Sequence, residues 1–141
     1  MNALIGRPTP TQNNSLTVEE LRVFRNLILK KIEDGEDEID FLLESIHEMR
    51  ENNSSDLTSN QHHVADVASL EAALQVNMRL LERTQKFIKG LKRALQRIEN
   101  GTYGICKVTG KPIARERLMA APHTQHSIEA KIMRNKALNM E

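Results

Sequence analysis

The clearest pattern in the chain is a heptad repeat of apolar residues, which runs through Val67, Leu74, Leu81, Ile88 and Leu95. Further apolar residues occupy the complementary positions, at Leu70, Leu91 and Ile98. Apolar residues spaced seven apart are typical of a helix that packs along one seam against another helix. The repeat therefore predicts a helix over about 64–99, which at about 1.5 Å per residue is on the order of 50 Å long.

Two polar residues, Asn77 and Thr84, fall on that seam where apolar residues are expected. A polar residue on a seam lowers stability but can fix the register in which two helices pair. The alternative is that both residues are tolerated at a wet point of a thin two-helix structure. The sequence leaves both interpretations open.

Apolar residues also recur at helical spacing nearer the start of the chain, at Leu21, Phe24, Ile28, Ile32, Ile39, Leu42, Ile46 and Met49. A polar segment at 35–38 interrupts this stripe. Thr17 and Glu20 have the spacing of a capping box, in which a hydroxyl and a carboxylate satisfy free backbone donors of the first turn. The pattern predicts a first helix over about 17–50.

Residues 52–60 are rich in the side chains that favour turns, namely Asn, Ser, Asp and Thr. We predict that the chain reverses there, with a tip at about 51–68. Residues 17–100 would then form an antiparallel two-helix coiled-coil hairpin. Residues 1–15 contain two prolines and lack periodic apolar positions, and we predict a disordered tail.

A two-helix hairpin of this length buries only one stripe per helix, so it needs a globular base, for which 101–141 is the candidate. Residues 109–112 predict a tight turn. Thr124 predicts the cap of a last helix over about 125–138, with Ile128, Ile132 and Leu138 facing inward. The expected fold is mainly α: a long hairpin on a small head with a short C-terminal helix.

Composition agrees with that class, because aromatic residues make up only 3% of the chain. Cys106 is the single cysteine, so no internal disulfide can form. There is no apolar run of about 18 residues, and we expect a cytoplasmic protein without membrane contact.

Net charge is +1 but is unevenly distributed. Residues 1–78 carry 6 Lys/Arg against 14 Asp/Glu, a net −8, and residues 79–141 carry 14 against 5, a net +9. Such halves can pair within the fold or present opposite faces to a partner. A nucleic-acid interaction through the basic half is a weaker interpretation, because aromatic stacking residues are scarce and no groove-reading motif is present.

No motif for phosphate binding, nucleophilic catalysis or paired-histidine metal catalysis is present in the sequence. Cys106 with His123 or His126 is the one arrangement that suggests a thiol nucleophile and its base. A single cysteine near a histidine is common without catalysis, and we expect that the protein is not an enzyme.

The stretch RIENGTYGICKVTGKPIARERLMAAPHTQHSIEAK, residues 97–131, resembles the zinc finger of the bacterial DksA/TraR family, which also places a coiled-coil hairpin before the finger. The resemblance implies four zinc cysteines as two Cys-x2-Cys pairs with a seventeen-residue spacer. Those places fall on Cys106, Thr109, Ser127 and Ala130. Zinc in structural sites takes thiolate or imidazole ligands, so the head resembles a degenerate zinc finger, and we expect no zinc and no other cofactor.

One rival is a rebuilt zinc site that uses Cys106, His123 and His126, which still lacks a fourth ligand. Without metal, the head must cohere in another way. Thr109 and Ser127 are expected to hydrogen-bond where zinc would bridge. A small apolar core is expected from Tyr103, Ile105, Val108, Ile113, Leu118, Ile128 and Ile132.

The resemblance also implies an acidic motif, Asp-x-x-Asp-x-Ala, at a hairpin tip that enters the secondary channel of RNA polymerase. Without gaps, the motif falls on residues 63–68. Asp66 and Ala68 match it, and His63 replaces the first acid. Asp66 is therefore the principal predicted functional residue. The alternative is that Asp66 only supports the start of the second helix, where the helix dipole favours an acid.

By this resemblance the protein is expected to bind RNA polymerase and modulate initiation without sequence-specific DNA contact. Some family members also bind guanosine tetraphosphate through basic residues. Arg83 and Lys131 match two of these, whereas Gly90 and Ala121 replace two others, which puts effector binding in doubt. The alternative function is a helical-hairpin interaction or adaptor protein with a different partner, since amphipathic seams are generic.

Overall fold

The computed structural model of the protein describes residues 16–59 and 64–139. The predicted tail at 1–15 and His63 lie outside the described residues. Four helices follow one another: α1 over Val18–Ser59, α2 over Val64–Asn100, α3 over Arg115–Ala120 and α4 over Ile128–Asn139. The mainly α fold with two long helices forming a hairpin is confirmed, and the described residues contain no β-strand beyond one isolated bridge.

The chain divides into two compact units. We call Met1–Ile32 together with Lys89–Glu141 the head unit, and Glu33–Ile88 the hairpin unit. Each long helix contributes to both units, because the head unit includes the start of α1 and the end of α2.

Helix α2 agrees with the predicted range, but the predicted end of the first helix is wrong. Helix α1 continues to Ser59 rather than ending at about residue 50. Its last turns consist of Asn, Ser, Asp, Leu and Thr, without glycine or proline. These residues are only a few tenths of a kcal/mol worse than average helix formers, at about 0.5–0.7 kcal/mol relative to alanine, so they do not end a helix by themselves.

In the hairpin unit, the seam is confirmed as the buried side of both helices. Leu42 and Ile46 of α1 and Ile88 of α2 are buried, whereas Leu74 and Leu81 are half-buried. The seam residues of α2 are therefore less buried towards the start of the helix than at Ile88. This is the geometry expected of two helices that cover each other along one stripe only.

The two polar seam residues both face inward. Thr84 is buried, and Asn77 Nδ2 donates a hydrogen bond of 3.1 Å to Ser45 Oγ across the hairpin. A half-buried amide that finds a partner in only one alignment of the helices disfavours the other alignments. This supports the register interpretation, which stays a prediction.

The polar segment at 35–38 does not interrupt α1, because Gly35 marks a point where the two helices come unusually close. A Cβ built at Gly35 would lie 2.9 Å from both Cδ1 and Cγ1 of Ile88. The missing side chain at Gly35 thus makes room for a buried isoleucine on the seam.

The head unit is built on the roots of both long helices. Phe24, Ile28 and Ile32 of α1 and Leu91 and Ala94 of α2 are buried. They share the core with Tyr103, Ile113, Leu118 and Pro122. The rings of Phe24 and Tyr103 lie 5.8 Å apart with a tilt of 48°, an arrangement that aromatic pairs favour. The head therefore fastens the two helices together at their base.

The predicted capping box at the start of α1 is confirmed. The amide of Thr17 donates to Glu20 Oε1 at 2.9 Å, and the amide of Glu20 donates to Thr17 Oγ1 at 3.0 Å. Arg115 of α3 donates two hydrogen bonds to the same carboxylate, one of them from Nη2 to Oε1 at 3.0 Å. The hydrogen bonds from Arg115, with that from the backbone of Thr17, lower the pKa of Glu20 to about 2.

The predicted start and orientation of the last helix are wrong. Helix α4 begins at Ile128, and Ser127 rather than Thr124 caps it, since the amide of Ala130 donates to Ser127 Oγ at 3.1 Å. Ala130 is the residue of α4 that is buried. Four apolar residues that were expected inside are exposed instead, namely Val108, Ile128, Ile132 and Leu138. The side of α4 that faces the head is therefore the one that carries Ala130.

None of the helices in the described part of the chain is both long enough and apolar enough to cross a membrane.

Two glycines within the long helices should respond differently to alanine. A Cβ at Gly90 would meet its nearest neighbour, the ring of His123, at 3.5 Å, an ordinary contact. Gly90→Ala should therefore raise the free energy of unfolding by about 0.5–1 kcal/mol through helix propensity. Gly35→Ala gains the same propensity but collides with Ile88, and overpacking costs about 1–3 kcal/mol.

Urea unfolding followed by helical circular dichroism measures both variants. We expect Gly35→Ala to be less stable than Gly90→Ala by at least about 1 kcal/mol. Equal stabilisation by both substitutions would contradict the close approach at Gly35.

Candidate functional site

The region of the head that resembles a zinc finger is a knuckle over residues 104–113, formed by a reversal of the chain. The segment is held by an isolated antiparallel bridge between Ile105 and Pro112 and by the Cys106 amide, which donates to the Lys111 carbonyl at 2.8 Å. Gly104 and Gly110 have φ angles of 85° and 72°, in the left-handed region that glycine adopts without steric penalty. The glycines thus permit the two sharp bends of the knuckle.

Cys106 is the centre of a hydrogen-bonded cluster at the place where the resemblance puts zinc. Its side chain is 1% exposed. The amides of Thr109 and Ser127 each donate to Cys106 Sγ at 3.4 Å. Ser127 Oγ in turn accepts the amide of Ala130, which is buried. All four former ligand positions therefore belong to one connected cluster, which joins the knuckle to the start of α4.

The cluster changes the acidity of the thiol. Burial by itself raises the pKa of Cys106, but the side chains and amides of Thr109 and Ser127 donate hydrogen bonds that favour the thiolate and together lower the pKa to about 6. The sulfur therefore carries negative charge near neutral pH. That charge strengthens the hydrogen bonds that hold the knuckle.

The residues of this cluster do not fit zinc. A structural zinc ion takes four thiolate, imidazole or carboxylate ligands, and the cluster offers one thiolate with two hydroxyls and a methyl group. The rebuilt site from Cys106, His123 and His126 finds no support either. Across residues 16–59 and 64–139, no three His, Cys, Asp or Glu side chains converge in a way that could hold a metal ion.

The loop that precedes α4 is held by long side chains from helices α2 and α3. Arg97 Nη2 donates to the His123 carbonyl at 3.2 Å, and Arg117 Nε donates to the His126 carbonyl at 2.7 Å. The Tyr103 hydroxyl donates a hydrogen bond of 2.9 Å to the Pro122 carbonyl. Burial raises the pKa of Tyr103. Three donors on separate elements thus satisfy the carbonyls of one irregular segment.

His123 occupies the side of this loop that faces α2. Its ring lies against Gly90, where an added Cβ would be 3.5 Å from His123 Cδ2. Burial lowers the pKa of His123, and the positive charges of Arg97, Lys31 and Arg117 lower it further. The imidazole is therefore neutral at pH 7.

The predicted tip residues are only partly described. Asp66 lies in the first turn of α2, which begins at Val64. Ala68 is exposed on the same helix, and His63 is outside the described residues. An acid in the first turn agrees with the helix-dipole interpretation and with the tip interpretation alike.

The two predicted effector residues lie in different units. Arg83 is exposed on α2 in the hairpin unit, and Lys131 is exposed on α4 in the head unit. Gly90, which occupies a position where the resemblance implies a basic residue, faces His123 instead.

Sequence reasoning missed the polar contacts that assemble the head. Arg115 reaches the carboxylate of Glu20, which is 95 residues away in the chain. Arg97 and Arg117 hold the loop before α4. Long-range pairs of this kind leave no local periodic signal, so the only sign in the sequence is the surplus of basic residues in the second half.

The Cys106 cluster predicts a pH-dependent stability. The pKa of the thiol is lowered from 9.0 to about 6 in the folded protein, so folding favours the thiolate. Its contribution is complete above pH 9.0, declines as the pH falls and is absent below about 6. Urea unfolding across this range should show wild type losing stability towards acid relative to Cys106→Ser, in which other titrating groups contribute equally. A pH-independent difference between the two proteins would contradict the thiolate.

A second variant tests the hydrogen bonds themselves. Cys106→Ala leaves the half-buried amide of Thr109 and the buried amide of Ser127 without their acceptor, which costs about 1–3 kcal/mol for a buried group. We expect Cys106→Ala to be less stable than Cys106→Ser, because the serine hydroxyl can still accept. The reverse order in urea unfolding at pH 6 would show that the sulfur contributes by packing alone.

Comparison with known proteins also identifies the region around the knuckle. Residues 101–132 match the family described as prokaryotic dksA/traR C4-type zinc finger. The chain is 41% identical over 73 residues to the RNA polymerase-binding transcription factor DksA of Caulobacter vibrioides, a match that covers 52% of this chain and 51% of that protein. It is 35% identical over 69 residues to General stress protein 16O of Bacillus subtilis, covering 49% and 42% of the two chains. The chain thus matches about half the length of these curated relatives or less.

The fold extends the similarity beyond the knuckle. The structure of transcription factor DksA2 from Pseudomonas aeruginosa superposes with a TM-score of 0.71 and 29% identity, over 89% of this chain and 90% of that one. The match therefore includes the long helices as well as the head. Motif, sequence identity and fold agree, and this chain is similar to DksA/TraR proteins in its knuckle and in its helical fold.

Proposed function

We propose that the protein is a transcription regulator that binds bacterial RNA polymerase and inserts the tip of its hairpin into the secondary channel. The observation that carries the proposal is the similarity to an RNA polymerase-binding transcription factor, DksA, together with a fold shared with DksA2 over nearly the whole chain. The protein would modulate initiation without sequence-specific DNA contact. It would act in the cytoplasm, where bacterial transcription takes place.

The architecture supports a division of labour between the two units. The head unit is compact and carries 16 Lys/Arg against 6 Asp/Glu, a net +10. The hairpin unit is a slender pair of helices without a wide core. A slender pair of helices can enter a channel that a globular domain cannot, while the head unit would provide a docking surface. No bond is made or broken by the protein in this mechanism.

Asp66 is the residue that we propose acts inside the channel, with Ala68 and His63 beside it in the sequence. Asp66 lies in the first turn of α2, within the hairpin unit. A carboxylate there can pair with basic side chains near the catalytic centre of the polymerase, or perturb its handling of metal and nucleotide.

We propose that the head works without zinc. The hydrogen bonds on Cys106, the contact of Arg115 with Glu20 and the core around Tyr103 supply the cohesion for which the family's four cysteines use metal.

The predicted site for guanosine tetraphosphate keeps at most half of its basic residues. Arg83 and Lys131 remain as predicted contacts to guanosine tetraphosphate, but the replacements at Gly90 and Ala121 favour a regulator that responds weakly to this nucleotide or not at all.

Substitution of the tip acid tests the function. Asp66→Asn keeps the size of the side chain and removes its charge. We expect the effect of the protein on open-complex lifetime and transcript yield in a purified system to fall at least about tenfold, the order of one charge-assisted contact. Affinity for polymerase should change by less than about threefold, because one small tip residue supplies little of an interface.

Glu71→Gln is the matched control, because it removes one exposed carboxylate from the same helix a little more than one turn away. This variant should regulate as wild type does. If Asp66→Asn regulates as well as wild type, the tip mechanism is wrong. If neither wild type nor Asp66→Asn binds polymerase, the hairpin serves a different partner and the adaptor function becomes the better explanation.

Metal content tests the zinc-free head. Protein purified without chelator should contain less than about 0.1 zinc per chain, and a chelator should shift its melting temperature by less than about 1 °C, because no metal-binding energy contributes to folding. Elemental analysis and thermal unfolding measure both. One tightly bound zinc per chain would refute the proposal.

A further inference from the structure

Helix α4 has an apolar stripe that the head does not cover. Ile128 and Ile132 are 54% and 49% exposed, and they lie one turn apart on the same side of the helix. Ala130, the buried residue of α4, points towards the head on another side. Lys131 and Lys136, both exposed, flank the isoleucine stripe. The outer side of α4 is therefore an apolar stripe between two positive charges.

The rest of α4 is equally open to solvent. Every residue over 131–139 is exposed. A helix of 12 residues is marginally stable in water unless tertiary packing supports it. The Ser127 cap and buried Ala130 secure only its first turn. A surface that packs against the isoleucines would stabilise the part of α4 that the head does not contact.

Helix α1 has a complementary surface in the hairpin unit. Phe41 is 68% exposed, the most exposed aromatic side chain among the described residues. Asp37, Glu38 and Glu44 lie three or four positions away, and Glu48 lies seven away, so all four neighbour Phe41 on one helix face. All four are exposed. We call this surface the Phe41 face, an aromatic ring surrounded by carboxylates.

We propose that α4 of one copy of this protein docks on the Phe41 face of a second copy. The isoleucine stripe would cover the aromatic ring, and Lys131 and Lys136 would lie among the carboxylates. The apolar residues of the two surfaces would pack together, and their charges are opposite in sign.

A second copy is favoured over an unrelated partner because one chain carries both surfaces. Residues 1–78 carry a net −8 and residues 79–141 a net +9, so the acidic part of one copy can attract the basic part of another. Each copy offers one α4 and one Phe41 face, so the contact joins unlike surfaces of the two copies.

The expected association is weak and sensitive to salt. Helix α4 is about 18 Å long, so one contact buries less than the about 800 Å² per partner of a standard interface. A dissociation constant on the order of 10–100 μM fits an interface of that size. The exposed charges are screened within about 10 Å at 0.1 M salt, so association should weaken as salt is added.

Sedimentation equilibrium of the full chain, at loading concentrations from about 5 to 500 μM, tests the proposal over the expected affinity range. At about 50 mM salt the mass should rise above the monomer value of 16.1 kDa with concentration, and at about 0.5 M salt it should stay lower. Ile132→Glu should weaken association at least about tenfold. Val23→Glu, which alters an exposed apolar residue of α1 outside both surfaces, should associate as wild type does.

Charge reversal distinguishes pairing between copies from a general loss of solubility or fold. A variant with Lys131→Glu and Lys136→Glu, and another with Asp37→Lys and Glu44→Lys, should each be monomeric alone while retaining wild-type helix content. Mixed in equal amounts, the two variants should associate with each other, because each contact again joins opposite charges.

A wild-type protein that is monomeric at the highest concentration and low salt would overturn the proposal, as would reversed variants that fail to pair when mixed. If wild type stays monomeric while the reversal on α4 weakens binding to RNA polymerase, α4 is a polymerase contact and self-association is wrong.

Discussion

The hydrogen bonds that converge on the sulfur of Cys106 are the constraint on which the head depends. They connect the knuckle to the start of α4, with donors from Thr109 and Ser127. The same unit buries Phe24 and Leu91, at the roots of the two long helices. On the proposal that the head works without zinc, this cluster does locally what four zinc ligands do in the family pattern, provided that the buried thiolate is well supplied with donors.

This form of cohesion differs physically from a zinc site. Zinc adds a large binding energy that is coupled to folding and is lost when the metal is removed. The cluster here adds smaller energies that depend on pH, because the pKa of Cys106 is lowered to about 6 by hydrogen bonds against the opposing effect of burial. Arginine side chains supply further hydrogen bonds that hold the head together. Arg115 binds the cap of α1, and Arg97 and Arg117 hold the loop before α4. The basic second half of the chain is therefore partly a structural requirement.

The sequence predicted the long-range architecture better than the details of the head. Heptad spacing located α2, and the Thr17 and Glu20 pair located the start of α1, because both signals are local and periodic. The end of α1 was wrong because polar residues weaken a helix without ending it. The predicted inward side of α4 was wrong because Ala130, rather than Ile128 and Ile132, is buried. Loss of zinc ligands could be inferred from spacing, whereas the Arg115 contact with Glu20 had no local signal.

The central claim is that the hairpin tip of this DksA-like protein reaches the interior of RNA polymerase. Site-specific crosslinking tests it most directly, with a photoreactive amino acid in place of Ala68, which is exposed near the start of α2. Illumination of the complex with purified polymerase should crosslink this position to the catalytic subunit, at residues that line the secondary channel. Crosslinks confined to the outer surface of the polymerase, or to none of its subunits, would contradict the account.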